Sequence, residues 1–284
     1  GDAALDDLDL NPILVQAERD IEAGSPRDRD REAVPDTLDA LMVRDADTAL
    51  QFGSKMQLSY NVENTQRAIG TRLSSHIVRK FGMTGLRENH ISVRLRGTAG
   101  QSLGAFATQG LRLEVIGDAN DYVGKGLSGG AIIVRPSAAA AFVAHENTII
   151  GNTVLYGATS GKLFAAGQAG ERLCVRNSGA TAVVEGAGTN ACEYMTGGRV
   201  VILGEVGDNF GAGMTGGMAF VYDPDGRFMD RVNPESLQVV RIGTSHWEAE
   251  LKGLVEAHAE ATDSALAARL LNEWDVEIGK FWQV

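Results

Sequence analysis

The sequence predicts a mainly β protein built as a parallel β-helix, with a mixed α/β flank on its N-terminal side and helices on its C-terminal side. Three observations favour this class. Of the 35 glycines in 284 residues, 26 lie between Gly97 and Gly226, well above an ordinary density. Within that region a pattern recurs about every 18–19 residues. Each recurrence carries apolar residues at alternate positions, the period of a strand with one buried face.

The repeat is defined by an anchor residue that precedes a glycine. The anchors are Gln109, Ser128, Ser160, Ser178, Thr196 and Thr215, separated by 19, 32, 18, 18 and 19 residues. The fourth residue after each anchor is apolar: Leu113, Ile132, Phe164, Ala182, Val200 and Ala219. The sixth is also apolar: Val115, Val134, Ala166, Val184, Ile202 and Val221. We expect strands that bury these two positions, turns at glycine, and stacking of successive repeats about 4.7–4.9 Å apart.

Composition divides the chain into four segments. Residues 1–47 form an acidic arm and linker with 14 acidic and 5 basic residues, and residues 48–96 form a mixed α/β lead-in. Residues 97–232 carry the repeats, and residues 233–284 form a helical cap. We expect the flanks to cover the open ends of the stack, where backbone groups are otherwise unpaired. The 32-residue step predicts an irregular repeat between Arg135 and Asn152.

Local patterns predict the elements of the flanks. Alternating apolar residues indicate strands at 55–62 and 91–95, and a helical period indicates a helix over 71–81 that stops at Gly82. The run from Ser245 to Glu248 is a capping box before an apolar helical series. A second C-terminal helix is expected from Thr262 or Asp263, with Leu266, Leu270, Leu271 and Trp274 on its apolar face.

Charge and composition weigh against several classes of protein. The net charge of −11 is concentrated in the two flanks, and no basic stripe marks a nucleic-acid site. No apolar run approaches the roughly 18 residues of a membrane span, and the first residues, GDAALDDLDL, lack the pattern of a signal peptide. Two cysteines cannot form a disulfide framework, so we expect a reducing, cytoplasmic setting.

Cys174 and Cys192 follow the repeat. Each lies four residues before an anchor, so the two should stack on adjacent repeats. That spacing permits a disulfide on distance alone. Two small buried thiols are the favoured interpretation.

Two segments match the glycine pattern of dinucleotide-binding loops: Gly124–Gly129 and Gly211–Gly216. A phosphate site needs a helix after the loop, because the helix N-terminus binds the anion. Both loops instead lead into strand-like sequence, GAIIVRP and GMAFVYD, at one phase of the repeat. Turn glycines are therefore the favoured interpretation.

The remaining polar residues predict no catalytic, cofactor-binding or metal site. The five histidines, His76, His90, His145, His246 and His258, show no metal-binding or catalytic spacing. The acidic run Asp6, Asp7 and Asp9 is expected to be solvated. For Asp118, Asn120 and Asp121, a turn capped by Asp and Asn side chains is favoured over a cation site.

Several long stretches closely resemble the C-terminal region of the glutamate synthase large chain. They are NTQRAIGTRLSSHIVRKFG (64–82), RLRGTAGQSLGAF (94–106), GDANDYVGKGLSGG (117–130), NTIIGNTVLYGATSGKLFAAGQAGER (147–172), EYMTGG (193–198), GDNFGAGMTGGMAFVYD (207–223) and KFWQV (280–284). The resemblance implies the GXGXG domain, a right-handed β-helix that holds the other domains together. The same region of the chain is also similar to a subunit of formylmethanofuran dehydrogenases.

The resemblance further implies an enzyme that makes glutamate from glutamine and 2-oxoglutarate. A glutaminase domain would release ammonia, a domain with FMN and a 3Fe–4S cluster would perform the synthesis, and a small NADPH-dependent subunit with FAD and 4Fe–4S clusters would supply electrons. None of the family's catalytic residues falls in this region, so no catalytic position is carried over. We therefore expect a structural domain that is inactive alone.

Two other functions stay open on the sequence. The first is a stand-alone β-helix assembly subunit, like that of formylmethanofuran dehydrogenase. The second is an acyltransferase on a left-handed β-helix of hexapeptides. Residues at six-step intervals, such as Leu173, Gly179 and Glu185, do not repeat in kind, which weighs against the acyltransferase.

Overall fold

A computed structural model describes residue 9, residues 11–14 and residues 35–284. The chain divides into two compact units, Gly1–Pro35 and Asp36–Val284. In the first unit the described part includes one short helix, α1 (Asn11–Leu14), and an exposed Asp9. The rest of the predicted arm before Pro35, including most of the acidic run and the linker, lies outside the described residues.

The second unit begins with helices and strands that match the predicted lead-in. Its first elements are α2 (Leu38–Asp45), α3 (Asp47–Phe52), β1 (Met56–Val62), α4 (Thr71–Phe81) and β2 (Ile91–Ala99). The prediction of α4 and of its end at Gly82 is confirmed. Helices α2 and α3 were not predicted. They bury Met42 and Ala49 in the main core, so the end of the predicted arm is part of the folded unit.

A long, mainly parallel sheet forms the body of this unit. Its further strands are β3 (Leu111–Ala119), β4 (Ser128–Arg135), β6 (Ser160–Ala165), β8 (Ser178–Val184), β9 (Thr196–Ile202) and β10 (Gly216–Tyr222). Neighbours along the order β1-β2-β3-β4-β6-β8-β9-β10 pair in parallel. The predicted strands after each anchor are therefore present, and the fold class is mainly parallel β with helices.

The inward positions of the repeat form the main core, with one correction. In five repeats the fourth and sixth residues after the anchor are buried there, as predicted. In β6 the third and fifth, Leu163 and Ala165, take these places, and Phe164 faces the other side of the sheet. The cause is that the β6 repeat has one residue fewer between its anchor and its paired strand. Lys162, two residues after its anchor, pairs with Ala131 and Thr181, each three residues after its own.

The two C-terminal helices lie on the outer face of the sheet and do not cap its end. Helix α5 (Ser245–Thr262) packs over β4, β6, β8 and β9, and α6 (Ala265–Asn272) packs against α5. Together they form a second core with outward-facing apolar residues of the strands: Ile133, Phe164, Val183, Val201 and Phe220. The expectation of a helical end cap is therefore wrong. These apolar residues, at the fifth position after four of the anchors and at Phe164, explain why the helices cover this face.

The C-terminus instead pairs with the edge of the sheet. After α7 (Trp274–Glu277), strand β12 (Phe281–Gln283) runs antiparallel to β10 and pairs on its other side with β11 (Val240–Arg241). This pairing satisfies backbone groups of β10 that an open edge would expose.

A second, shorter ladder runs beside the sheet. It contains β5 (Thr148–Ile150) and β7 (Gln168–Ala169) and continues through parallel bridges at Ala187 and Val206. The segment between β4 and β5 contains only a 3-10 turn, Ala144–Glu146, which confirms the irregular repeat. Two other 3-10 turns span Phe228–Arg231 and Ile278–Lys280.

Helix capping differs from the predicted box. Helix α5 begins at Ser245, and its N-cap is Thr244, whose Oγ1 accepts a hydrogen bond from the Trp247 backbone N–H at 3.4 Å. The second C-terminal helix begins after Ser264, which caps it through the Ala267 N–H at 3.0 Å.

Within the described ranges, no helix is both long enough and apolar enough to span a membrane.

Candidate functional site

Six five-residue turns stack into a third structure, which we call the turn ladder. The turns are residues 102–106, 122–126, 153–157, 172–176, 190–194 and 209–213. In each turn the first, third and fifth residues have left-handed backbone conformations, with φ between 51° and 69°. This conformation is unfavourable for residues other than glycine. The turn ladder holds non-glycine residues at most of these positions, including Cys174, Leu155 and Tyr194.

Backbone hydrogen bonds join each turn to its neighbours. The third residue donates to the preceding turn, as from Gly124 N–H to Leu103 O at 2.8 Å and from Cys192 N–H to Leu173 O at 2.7 Å. The fifth residue donates to the following turn, as from Phe106 N–H to Lys125 O at 2.8 Å. The N–H groups of the first, third and fifth residues therefore point alternately to the following turn, the preceding turn and the following turn, as Ser102 N–H donates to Asp121 O at 2.8 Å. The turns are thereby bonded together like strands of a sheet.

The two GxGxxG segments are parts of this ladder. Both lead directly into strands β4 and β10, so neither presents a helix N-terminus to a phosphate. Packing against backbone leaves no room for a side chain at the last glycine of each segment: a Cβ would lie 2.9 Å from the Gln109 nitrogen at Gly129 and 2.5 Å from the Thr196 carbonyl oxygen at Gly216. The interpretation as turn glycines agrees with this geometry.

Cys174 and Cys192 occupy the third position of adjacent turns, as the repeat predicts. Both are fully buried free thiols in the main core. Burial raises the pKa of Cys192 to about 12, and burial also raises the pKa of Cys174 well above its ordinary value. The thiolate is the reactive form of cysteine, so these two residues are packing groups.

A buried polar cluster that the sequence analysis missed lies between β8 and the helices. Glu185 Oε1 accepts a hydrogen bond from Ser264 Oγ and lies 3.4 Å from His258 Nε2. All three side chains are buried. Their types match a hydrolytic triad, but that mechanism needs the histidine on the serine. Here both groups contact one carboxylate oxygen, and the cluster joins the sheet to α5 and α6.

Other polar residues named in the sequence analysis have structural roles. Asp121 Oδ1 accepts from the Asn152 N–H at 2.8 Å, and Asn152 Oδ1 accepts from the Glu171 N–H at 2.8 Å. These bonds link successive repeats just before the turn ladder. In the part of the chain with described coordinates, no group of three or more His, Cys, Asp and Glu side chains could hold a metal ion.

This geometry defines a class: a parallel β domain assembled from repeats, with a sheet, a short ladder and a turn ladder around one core. The sequence model of the GXGXG motif family matches residues 39–284. The chain belongs to this family.

Curated relatives match nearly the whole chain. It is 63% identical over 280 residues to the glutamate synthase [NADPH] large chain of Azospirillum brasilense, covering 99% of this chain and 18% of that protein. It is 48% identical over 246 residues to the ferredoxin-dependent glutamate synthase of Pyropia yezoensis, covering 87% and 16%. The glutamate synthase [NADH] of Schizosaccharomyces pombe is 43% identical over 281 residues, covering 98% and 13%. These matches confirm the resemblance, and the chain spans less than a fifth of these relatives' length.

Proposed function

We propose that this chain is a structural domain of a glutamate synthase large chain and that it fixes the relative positions of that chain's catalytic domains. The observation that carries the proposal is the uninterrupted parallel pairing of β1 through β10, in a chain that aligns along 99% of its length with part of a large chain. Domains that exchange an intermediate benefit when their geometry is fixed in advance.

We further propose that the repeats form a right-handed parallel β-helix. The sheet, the short ladder and the turn ladder all contribute to one core, with Val200 from a strand, Ala187 from the short ladder and Cys192 from a turn. Parallel strands in one sheet are joined by right-handed connections in nearly all proteins. Bonding between repeats along three sides supports a stiff rod, which is the mechanical property that a spacer needs.

The activity follows as part of the proposal. The large chain would make glutamate from glutamine and 2-oxoglutarate in the cytoplasm, with a glutaminase domain, a synthase domain with FMN and a 3Fe–4S cluster, and a small NADPH-dependent subunit with FAD and 4Fe–4S clusters. This chain's own residues do not fit a cluster. It has two cysteines in all, both are fully buried, and burial raises the pKa of both thiols.

The first test is an activity assay of the purified 284-residue chain. We expect no release of ammonia from glutamine and no formation of glutamate from 2-oxoglutarate. Turnover that co-purifies with the chain and withstands further purification would refute a purely structural role.

The second test measures whether the domain keeps the two half-reactions of the large chain coupled. The chain replaces the matching region of the Azospirillum large chain, and glutamine consumption is measured against 2-oxoglutarate consumption. Val200→Asp places a charge in the main core and should uncouple the two, so that ammonia leaks and glutamine is consumed in excess. Val276→Asp, on the exposed surface of α7, is the matched control and should leave the ratio unchanged. Equal ratios for a folded Val200→Asp chimera and its control would contradict the proposal.

A further inference from the structure

Aromatic side chains are concentrated on the outer face of the turn ladder. Four of the six exposed Phe and Tyr side chains among the described residues lie there: Phe106, Tyr122, Tyr156 and Tyr194. Phe106 is 57% exposed and Tyr194 is 56% exposed. Clustered exposed aromatic residues are uncommon on a surface that faces only water.

Three of these aromatic residues also carry backbone strain. Phe106, Tyr122 and Tyr194 have φ values of 57°, 63° and 51°. A bulky residue in this region is an outlier, and glycine adopts the same conformation freely. The equivalent fifth position is glycine in three other turns, including Gly126 and Gly213. Folding of this domain alone would therefore favour glycine at positions 106 and 194, and an observed outlier of this kind points to a function.

The neighbouring glycines shape the aromatic surface. The ring of Phe106 lies over Gly126, and the ring of Tyr194 lies over Gly213, since a methyl group on either glycine would lie 2.5 Å from a ring carbon. Each ring therefore rests with one side on the ladder and its other side open. Four repeats separate the two rings, which places them roughly 20 Å apart along the ladder at ordinary strand spacing.

Basic side chains accompany the rings. Lys125 Nζ lies 5.6 Å from the centre of the Tyr122 ring. Arg172 and Arg176 are the first and fifth residues of a single turn two steps further along the ladder, and both are exposed. Tyrosine and arginine are the residues most enriched among energetically dominant interface positions.

From these observations we propose that the outer face of the turn ladder is the surface on which this domain docks to the other domains of its own large chain. The inference rests on the proposed function. The relatives carry this region as 13–18% of a much longer polypeptide, so most of their mass lies outside the region compared. The outer face of the sheet is covered by α5 and α6, whereas the described residues leave the four rings of the aromatic face exposed. The partner surface should be apolar with acidic side chains opposite Lys125, Arg172 and Arg176.

The test uses hydroxyl-radical labelling of side chains. Labelling of Phe106 and Tyr194 is compared between the 284-residue chain and the Azospirillum large chain that carries it as a replacement. Burial of rings that are more than half exposed here should slow their labelling about fivefold or more. Phe52, which is exposed on α3, serves as the reference ring. Unchanged labelling of Phe106 and Tyr194 would overturn the proposal, as would slowing no greater than that of Phe52.

Glycine substitution separates docking from folding. Phe106→Gly and Tyr194→Gly remove the rings and suit the left-handed backbone, so the 284-residue chain should melt at an unchanged or higher temperature. In the large chain the same pair should restore fast labelling of Tyr122 and Tyr156. A pair that leaves those residues protected would contradict the proposal. The oligomeric state of the isolated chain is measured as well. If the isolated chain is a dimer that the two glycine substitutions dissociate, and labelling in the large chain is unchanged, the face serves self-association and the docking proposal is overturned.

The two hypotheses can fail separately. If the core variant Val200→Asp uncouples the chimera while the turn-ladder rings stay exposed, the structural role stands and only the docking surface is wrong. If coupling is insensitive to the core variant, the structural role fails whatever the labelling shows.

Discussion

Adding one methyl group at Gly117 should destabilise the domain strongly. Gly117 lies in β3 opposite Gly97 of β2, which in turn lies opposite Val62 of β1. Its φ is 147°, and a Cβ there would overlap the carbonyl oxygen of Gly97 and lie 2.8 Å from its carbonyl carbon. The obstacle is backbone in a paired strand, so no side-chain rotation relieves it. Strain of about 1–3 kcal/mol from the backbone and about 1–3 kcal/mol from overpacking gives about 2–6 kcal/mol for Gly117→Ala.

The same substitution at Gly253 should have the opposite sign. Gly253 lies exposed inside α5, and a methyl group there would meet nothing within 4 Å. Replacing glycine by alanine in a helix interior stabilises by about 0.5–1 kcal/mol. Urea unfolding of the 284-residue chain, followed by circular dichroism, measures both variants with the parent. If the variants differ in the slope of unfolding free energy against urea concentration, the two-state assumption fails. Hydrogen exchange of β2 and β3 would then be measured instead. A Gly117→Ala variant as stable as Gly253→Ala would refute this account of the glycines.

Three further outcomes follow from the described contacts. Because burial raises the pKa of both thiols, to about 12 for Cys192, their contribution to stability is complete below their unfolded pKa near 9. It is lost as the pH rises above 9, by about 1.4 kcal/mol for Cys192 at pH 10. The Cys174→Ala/Cys192→Ala double variant should lack this part of the alkaline loss in urea titrations at pH 8 and pH 10. Ser264→Ala should cost about 2–4 kcal/mol, because it removes a helix cap and the donor to a buried carboxylate, whereas Thr244→Ala should cost only about 0.5–1 kcal/mol, both by urea unfolding. Arg172→Gly, at an exposed left-handed position, should raise the free energy of unfolding by up to about 1 kcal/mol in urea. A clear decrease in that free energy would contradict the strain argument.

The sequence was sufficient for the features that repeat or that depend on local pattern. The strand after each anchor and the alternate burial of its residues follow from a fixed period, because a half-buried strand repeats every two residues. Helix α4 follows from its apolar spacing and from Gly82 at its end. The absence of a helix after Gly129 and Gly216 was also readable, because strand-like residues follow directly.

Features that depend on contacts between distant segments could not be predicted. The inward place of Leu163 and the outward place of Phe164 depend on how β6 pairs with β4 and β8, and an alignment on the anchors alone does not give that pairing. The contact between Glu185 and Ser264 joins residues 79 positions apart. The helices cover the sheet face because outward-facing apolar residues occur at the fifth position after four of the anchors and at Phe164, and these contacts join segments far apart in the chain.

The turn ladder explains why the site was harder to find than the fold. Six turns have the same backbone conformation at three positions each, yet only some of these positions are glycine, so the sequence shows a fragment of a complete structural repeat. The informative positions are those that are left-handed in every turn but are occupied by a residue other than glycine. At two of these positions, Leu155 and Cys174, the side chain lies in the core, and its burial offsets the backbone strain. Phe106 and Tyr194 are instead directed toward the surface, where more than half of each side chain stays uncovered by the described residues. A strained residue whose compensation is missing from its own domain is best explained by a contact that another domain supplies.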